Sequence, residues 1–599
     1  MQSAIKRFGF ASVMALAAPV AAQDITLNAP DTGPQITGLL ESASLVLALD
    51  PETNPAPQDY VAAARADYRA LLTALYSAGY YSGTVSITLN GREAAGISPL
   101  AAPGAINTIR IEIDKGPKFT FGQARVAPLP PATELPDGFA PGEDAGADLI
   151  RQAALAGVTA WREAGHAKAD VADQQIVARH AAQKLDASAR LAPGPRLTFG
   201  AVTVSGNADV RATAITRIAG LPEGAVYSPQ EVEKAARRLR ETGAFDSINL
   251  REAEAIGPGK TLPVDIQVVE ALPRRIGFGI ELSSVEGLKV SSYWLHRNFW
   301  GGAERLRVEG EVAGIGGGTG GTDYRIATSL TIPAIYGADT DLTFNASLSR
   351  EDEPDYLLDK AAIEVIATRK LTDDLSASVG LGLLTAREET DLGVREYTLF
   401  TLPLSATYDK RDDSTNAQNG YYIDVDATPF VSLDGGANGG RLYVDARYYK
   451  TFGEAERFGI AARGQVGSVI GPDIAETPAD FLFYSGGSGT VRGQTYKSLG
   501  VETVAAGETT TTGGLSFIGA QLEARYGVTD SIGLVGFYDI GHVGATQVPG
   551  EDGDWHAGLG VGVRYNTGIG PIRLDVGTPA NGDDAFSSVE VYIGIGQAF

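Results

Sequence analysis

One arginine in this chain stands where its chemistry could be used. In Phe481–Tyr496 (FLFYSGGSGTVRGQTY) aromatic residues lead into Gly486, Gly487 and Gly489, and Arg492 is pinned between Val491 and Gly493. Glycines let the backbone turn tightly and approach other atoms. A guanidinium so placed is suited to grip a carboxylate through two parallel hydrogen bonds, which is positioning chemistry rather than catalysis. On composition alone the same stretch reads better as a flexible Gly/Ser surface loop. Other reactive groups are sparse. There is no cysteine, which excludes disulfides and thiolate metal sites. Histidines stand at 166, 180, 296, 542 and 556 without a recognisable serine and acid pattern, and no G-x-S-x-G elbow occurs.

The elements that would have to position Arg492 follow from the rest of the chain. Its 599 residues imply several domains, and a net charge of −24 disfavours a nucleic-acid partner. Residues 1–22 read as a signal peptide: Lys6 and Arg7, a short apolar run from Phe8 to Ala18, then Val20-Ala21-Ala22 before Gln23. That run is too short to span the roughly 30 Å of membrane hydrocarbon. A membrane-embedded mature chain would therefore have to be a barrel.

From about residue 24 to 272 the sequence is α+β and repeats. Gly116-Pro117-Lys118-Phe119-Thr120-Phe121-Gly122 returns as Gly194-Pro195-Arg196-Leu197-Thr198-Phe199-Gly200, with a weaker echo around Leu272-Pro273-Arg274. The prolines at 117, 195 and 273 are evenly spaced by 78 residues, which predicts three stacked modules: 23–116, 117–195 and 196–272. Glycines at 79, 165 and 243 mark helix C-termini in each. Within the third, the pattern predicts a strand at Leu197–Ser205, a helix at Ala212–Ala219, and a second helix opened by Ser228-Pro229-Gln230-Glu231 and running to Glu241. A hairpin of Phe245–Glu252 with Leu262–Val269 completes it. Gly257-Pro258-Gly259-Lys260-Thr261 is not a phosphate loop, because Glu254 replaces the first glycine and a strand follows. Gly316, Gly318 and Gly321 fit the spacing G-x-G-x-x-G but precede a strand, as in a hairpin loop.

After about residue 273, strands of alternating character follow one another to Phe599. Ile276, Phe278, Ile280 and Leu282 share one face. Leu442, Val444, Ala446 and Tyr448 share another, as do Ile572, Leu574 and Val576, opposite Arg573, Asp575 and Gly577. Val589, Val591, Ile593, Ile595 and Phe599 form the last such set. So many charges on the second face indicate an apolar-out, polar-in transmembrane barrel, and the pattern alone accommodates fourteen, sixteen or eighteen strands.

Val491-Arg492-Gly493 after Gly486-Gly487, with Tyr496, Leu499 and Gly500 following, resembles the loop-six signature of the Omp85 superfamily of outer-membrane barrels. The β-α-α-β-β modules resemble its periplasmic POTRA domains. Three copies resemble its TamA branch, the outer-membrane subunits of translocation and assembly modules. The resemblance implies α+β POTRA modules followed by an all-β antiparallel barrel of sixteen strands over 273–599. It implies that Arg492 is held inside by lumen-phase acids, here Glu523 and Asp539. It also implies a weak seam between first and last strands, for which Gly277, Gly594, Gly596 and Phe599 are the candidates. The implied activity is non-enzymatic insertion or translocation of client proteins in a Gram-negative outer membrane. A TamB-like, inner-membrane-anchored periplasmic partner and autotransporter-type clients follow from it, with outer-membrane lipids as a further partner and no cofactor or metal. The alternative is a two-partner secretion transporter passing an exoprotein through the lumen.

Overall fold

The computed structural model describes residues 24–50, 55–98, 104–284, 286–318, 320–390, 393–453, 457–505, 508–568, 570–582 and 585–599; the signal-peptide stretch lies outside them. They form two units, one reaching to Phe199 with short later pieces and one dominated by everything after Pro263. No helix among the described residues is long and apolar enough to cross a membrane.

The first unit holds two small sheets. Asp24–Asn28, Thr108–Asp114, Thr84–Leu89 and Arg92–Glu93 lie in that order, backed by the helix Pro57–Ser77. Thr120–Ala127, Lys184–Ala192 and Asp170–Arg179 form the second, backed by Ala147–Glu163. Both helices stop on glycines with positive φ, Gly79 (+89°) and Gly165 (+96°). The next N–H in each case folds back to satisfy a helix carbonyl, Tyr80 to Leu75 and His166 to Trp161. Each capping glycine then offers its own carbonyl to the residue just ahead of the next strand: Phe119 N–H donates to Gly79 O and Leu197 N–H to Gly165 O, both at 2.9 Å. The repeated glycine and the repeated Gly-Pro marker are thus two halves of one joint.

Strand Thr198–Ser205, helix Ala212–Ala219, helix Pro229–Glu241 and the antiparallel pair Phe245–Glu252 with Thr261–Glu270, most of whose residues belong to the second unit, appear in the order expected from sequence. Beyond them sixteen antiparallel strands close a barrel, from Arg274–Ser283 to Glu590–Ile595. The eighth strand is interrupted at Leu402-Pro403: its two parts, Gly393–Thr401 and Leu404–Asp409, both pair with the seventh and ninth strands. Proline has no N–H to donate to a ladder, so a break there is expected. Apolar side chains point outward, with Phe278 80% exposed and Ile363 59% exposed, which is the arrangement lipid requires.

The helix-bearing module docks on the short turns at one end of the barrel. Arg238 forks onto Asp339 at 2.7 and 3.0 Å, Arg237 reaches Asp373 at 3.0 Å, and Lys370 meets Glu241 at 2.5 Å. Arg211 donates to Gly301 and Trp300 carbonyls. Ala303 and Ala334 from two of these turns enter the module's own apolar core beside Ile215 and Leu239.

Candidate functional site: loop six and the barrel seam

Residues 471–515 connect the eleventh strand (Phe458–Ile470) to the twelfth (Ser516–Gly527), and among them the stretch 481–493 folds inward. Near their midpoint Arg492 is wholly buried. Its Nε and Nη2 reach the two oxygens of Asp539 at 2.7 and 2.9 Å, and its backbone N–H adds a third bond to the same carboxylate at 3.1 Å. Nη1 reaches Glu523 Oε1 at 2.7 Å and Asp575 Oδ2 at 3.4 Å. The guanidinium lies 3.8 Å over the Phe537 ring, a favourable cation–π placement.

Glu523 and Asp539 are therefore where the lumen phase of their strands puts them, with neighbours Leu522 and Tyr538 facing out. Asp575, inward-facing by strand phase, is a third acid at the arginine that the sequence does not single out. It also accepts a bidentate grip from Arg564, while Arg525 holds the second oxygen of Glu523 at 2.7 Å. Three arginines thus meet three carboxylates, so the cluster is formally neutral. Pairing of this quality is what makes buried charge tolerable.

The glycines explain how a loop can lie against a wall. Gly493 has φ +89°, and a Cβ there would stand 2.5 Å from the Thr578 backbone. A Cβ on Gly558 would stand 1.9 Å from the Arg492 carbonyl oxygen. Gly486 (φ +113°) and Gly487 (φ +89°) need glycine for the same backbone reason, and Val491 is fully buried against Gly541 and Gly558. Further anchors carried no signal in the sequence. Gln494 donates to Ala557 O, His556 pairs with the Ser485 hydroxyl at 2.7 Å, Lys497 meets Glu353 at 2.8 Å, and buried Glu388 accepts the Ala479 N–H at 2.8 Å. Each is a long-range contact between residues ordinary in isolation.

Loop six holds both sides of the seam. Ser488 N–H donates to Glu286, just after the first strand, at 3.1 Å. Gly493 N–H donates to the Tyr592 hydroxyl, on the sixteenth strand, also at 3.1 Å. Between those strands, among the described residues, the ladder joins only Leu282 to Ile593 and Ser283 to Tyr592. A further bond runs from Ser284 N–H to Val591 O at 3.1 Å. The first strand pairs with the second over its whole length, so Arg274–Glu281 present an unpaired edge on the seam side.

Two expectations about the seam are corrected. Gly277 and Gly594 do not face each other across the seam: the register that sets Leu282 opposite Ile593 and Ser283 opposite Tyr592 puts Gly594 beside Glu281, and Gly277 lies four residues further along the first strand, past the end of the ladder. Phe599 does not continue the outward row of Ile593 and Ile595. Gly596, at φ +98°, turns the chain inward, and Phe599 packs on Tyr449, Ala461 and Ala417 beneath Arg525.

A POTRA-type module ahead of a closed barrel with an inward loop defines an outer-membrane protein whose POTRA domain stands in the periplasm. The Omp85 superfamily domain matches residues 298–599, and POTRA (surface antigen variable number repeat) matches residues 197–271. The chain belongs to the Omp85 superfamily. Among curated relatives it is similar to the outer membrane protein assembly factor BamA of Neorickettsia risticii (strain Illinois), 22% identical over 210 residues. That match covers 34% of this chain and 28% of the relative. Among solved structures it is similar to BamA from Haemophilus ducreyi lacking POTRA domains 1–3. The TM-score is 0.63 at 16% identity, covering 80% of this chain and 99% of that one. It is also similar to CdiB from Acinetobacter baumannii, with TM-score 0.52 at 12% identity, covering 80% and 89%. At these identities the structural likeness shows the fold.

Proposed function

We propose that this protein is a non-enzymatic assembly factor of the TamA type, which inserts or translocates client proteins through the seam between its first and sixteenth strands. The observation that carries this is the unpaired edge at Arg274–Glu281. Free N–H and C=O groups on a strand edge are a template for another strand, and a client strand adding there would be held by main-chain bonds. Loop six, locked by Arg492, keeps the wall on both sides of that edge in place.

In this reading the modules 23–116, 117–195 and 196–272 are three POTRA domains that receive periplasmic partners, and 273–599 is the barrel. The partner is a TamB-like, inner-membrane-anchored periplasmic protein; the clients are autotransporter-type barrels of a Gram-negative cell, and outer-membrane phospholipid is a second cargo. Export through the lumen is the less favoured reading, because loop six and Phe599 occupy the interior. The test is reconstitution of the purified protein in phospholipid vesicles with a urea-denatured autotransporter barrel. The client is expected to fold faster than in empty vesicles, and equal rates would refute the proposal.

A further inference from the structure

We propose that Gln597 is the positioning residue that holds Gly596–Phe599 inside the barrel and so keeps the seam edge of the first strand free. The register supplies the argument. Leu282 faces Ile593 and Ser283 faces Tyr592. Continuing that ladder would set Gly596 opposite Gly279, Gln597 opposite Phe278, Ala598 opposite Gly277 and Phe599 opposite Ile276. The chain could therefore close its own seam, and what prevents this is where residue 597 would point.

On a continued strand Gln597 would share the face of Ile593 and Ile595, which is exposed on the outside of the barrel. A primary amide there would enter hydrocarbon with no partner, which is unfavourable. Turned inward, the same side chain is satisfied at both ends. Its Oε1 accepts from Arg564 Nε at 3.0 Å, and its Nε2 donates to Asn416 Oδ1 at 2.8 Å. Gly596 permits the turn, and its N–H finds Pro571 O at 2.7 Å. Phe599 fills the apolar space between Tyr449 and Ala461. Arg564 also grips Asp575, which reaches Arg492, so the segment is tied to the cluster that locks loop six.

The inference deepens the seam reading by naming what sets the state of the edge, and its test reads the edge itself rather than client assembly. Ser284 N–H points at Val591, so the even-numbered N–H groups of the first strand face the seam. Amide hydrogen exchange resolved to Phe278 and Ile280 is therefore the measurement, with heat-modifiability on gels confirming a closed barrel. In the unaltered protein both amides should exchange as unprotected groups. Gln597→Leu removes the polar obstacle and should slow both at least tenfold; deleting 597–599 from that variant should restore fast exchange. Gln597→Glu keeps the acceptor for Arg564 and should leave exchange fast. If Gln597→Leu fails to fold, Gln597→Ala, which also removes the amide, should slow the same amides. Slow exchange in the unaltered protein, or no slowing in the variant that folds, overturns the proposal.

Discussion

Arg492 and Asp539 share three hydrogen bonds, two from the guanidinium fork and one from the arginine's own backbone N–H. The carboxylate therefore fixes both where the side chain points and where the loop backbone lies. A side-chain pair alone would leave the loop free to move around its anchor.

Truncating Arg492 to alanine removes the fork and leaves Asp539, Glu523 and Asp575 facing two arginines. Breaking a buried pair of this kind costs about 3–5 kcal/mol. Arg492→Lys should not rescue it, because a single ammonium cannot bridge Asp539 and Glu523 as a planar fork does. Loop six should become accessible to protease in both variants while the barrel stays heat-modifiable. A protected loop in either would contradict the assignment.

Asp575 should be energetically coupled to Arg492. A double-mutant cycle of Arg492→Ala and Asp575→Asn, read by urea unfolding in detergent, is expected to give an interaction energy of about 0.5–3 kcal/mol. Strict additivity would mean that the 3.4 Å approach contributes nothing.

Gly558→Ala and Gly489→Ala form a matched pair. The first would put a methyl 1.9 Å from the Arg492 carbonyl oxygen, whereas the second meets nothing within 4 Å. Overpacking of that kind costs about 1–3 kcal/mol, and a change in open space stays within about 0.5 kcal/mol. Protease access to loop six should rise for Gly558→Ala only.

At the other end of the barrel, Arg238→Ala should loosen the docked module. The pair with Asp339 is partly exposed, 14% and 41%, so its contribution is of the order of 1 kcal/mol. Faster proteolysis near Leu272, with an unchanged barrel core, is the expected result. Equal cleavage would place the docking energy in Ala303 and Ala334 instead.

Much of this arrangement was legible before the structure, because it depends on period and spacing. Strand phase puts Glu523 and Asp539 in the lumen, whereas their pairing with Arg492 is what the loop-six resemblance implies. Phase also put Asp575 inward, but it puts many acids inward and does not say which lie at the same height as the loop. Gly277 and Gly594 illustrate the reverse limit. Their glycine character was readable, yet which residues face each other depends on the stagger of barrel closure, and that is set by all sixteen strands together. Extending the alternation past Gly596 places Phe599 on the lipid face, and the positive φ of Gly596 is what ends that alternation. Gln597 is the polar residue at an outward-phase position of that alternation.

The central claim, that the seam opens for a client strand, is tested most directly by locking it. Leu282→Cys with Ile593→Cys joins two directly paired residues on the outer face, away from the Arg492 cluster. Oxidised, this protein in vesicles should lose its acceleration of client folding, and reduction with dithiothreitol should restore it. Full activity of the oxidised form, with the disulfide verified by mass spectrometry, would contradict the account.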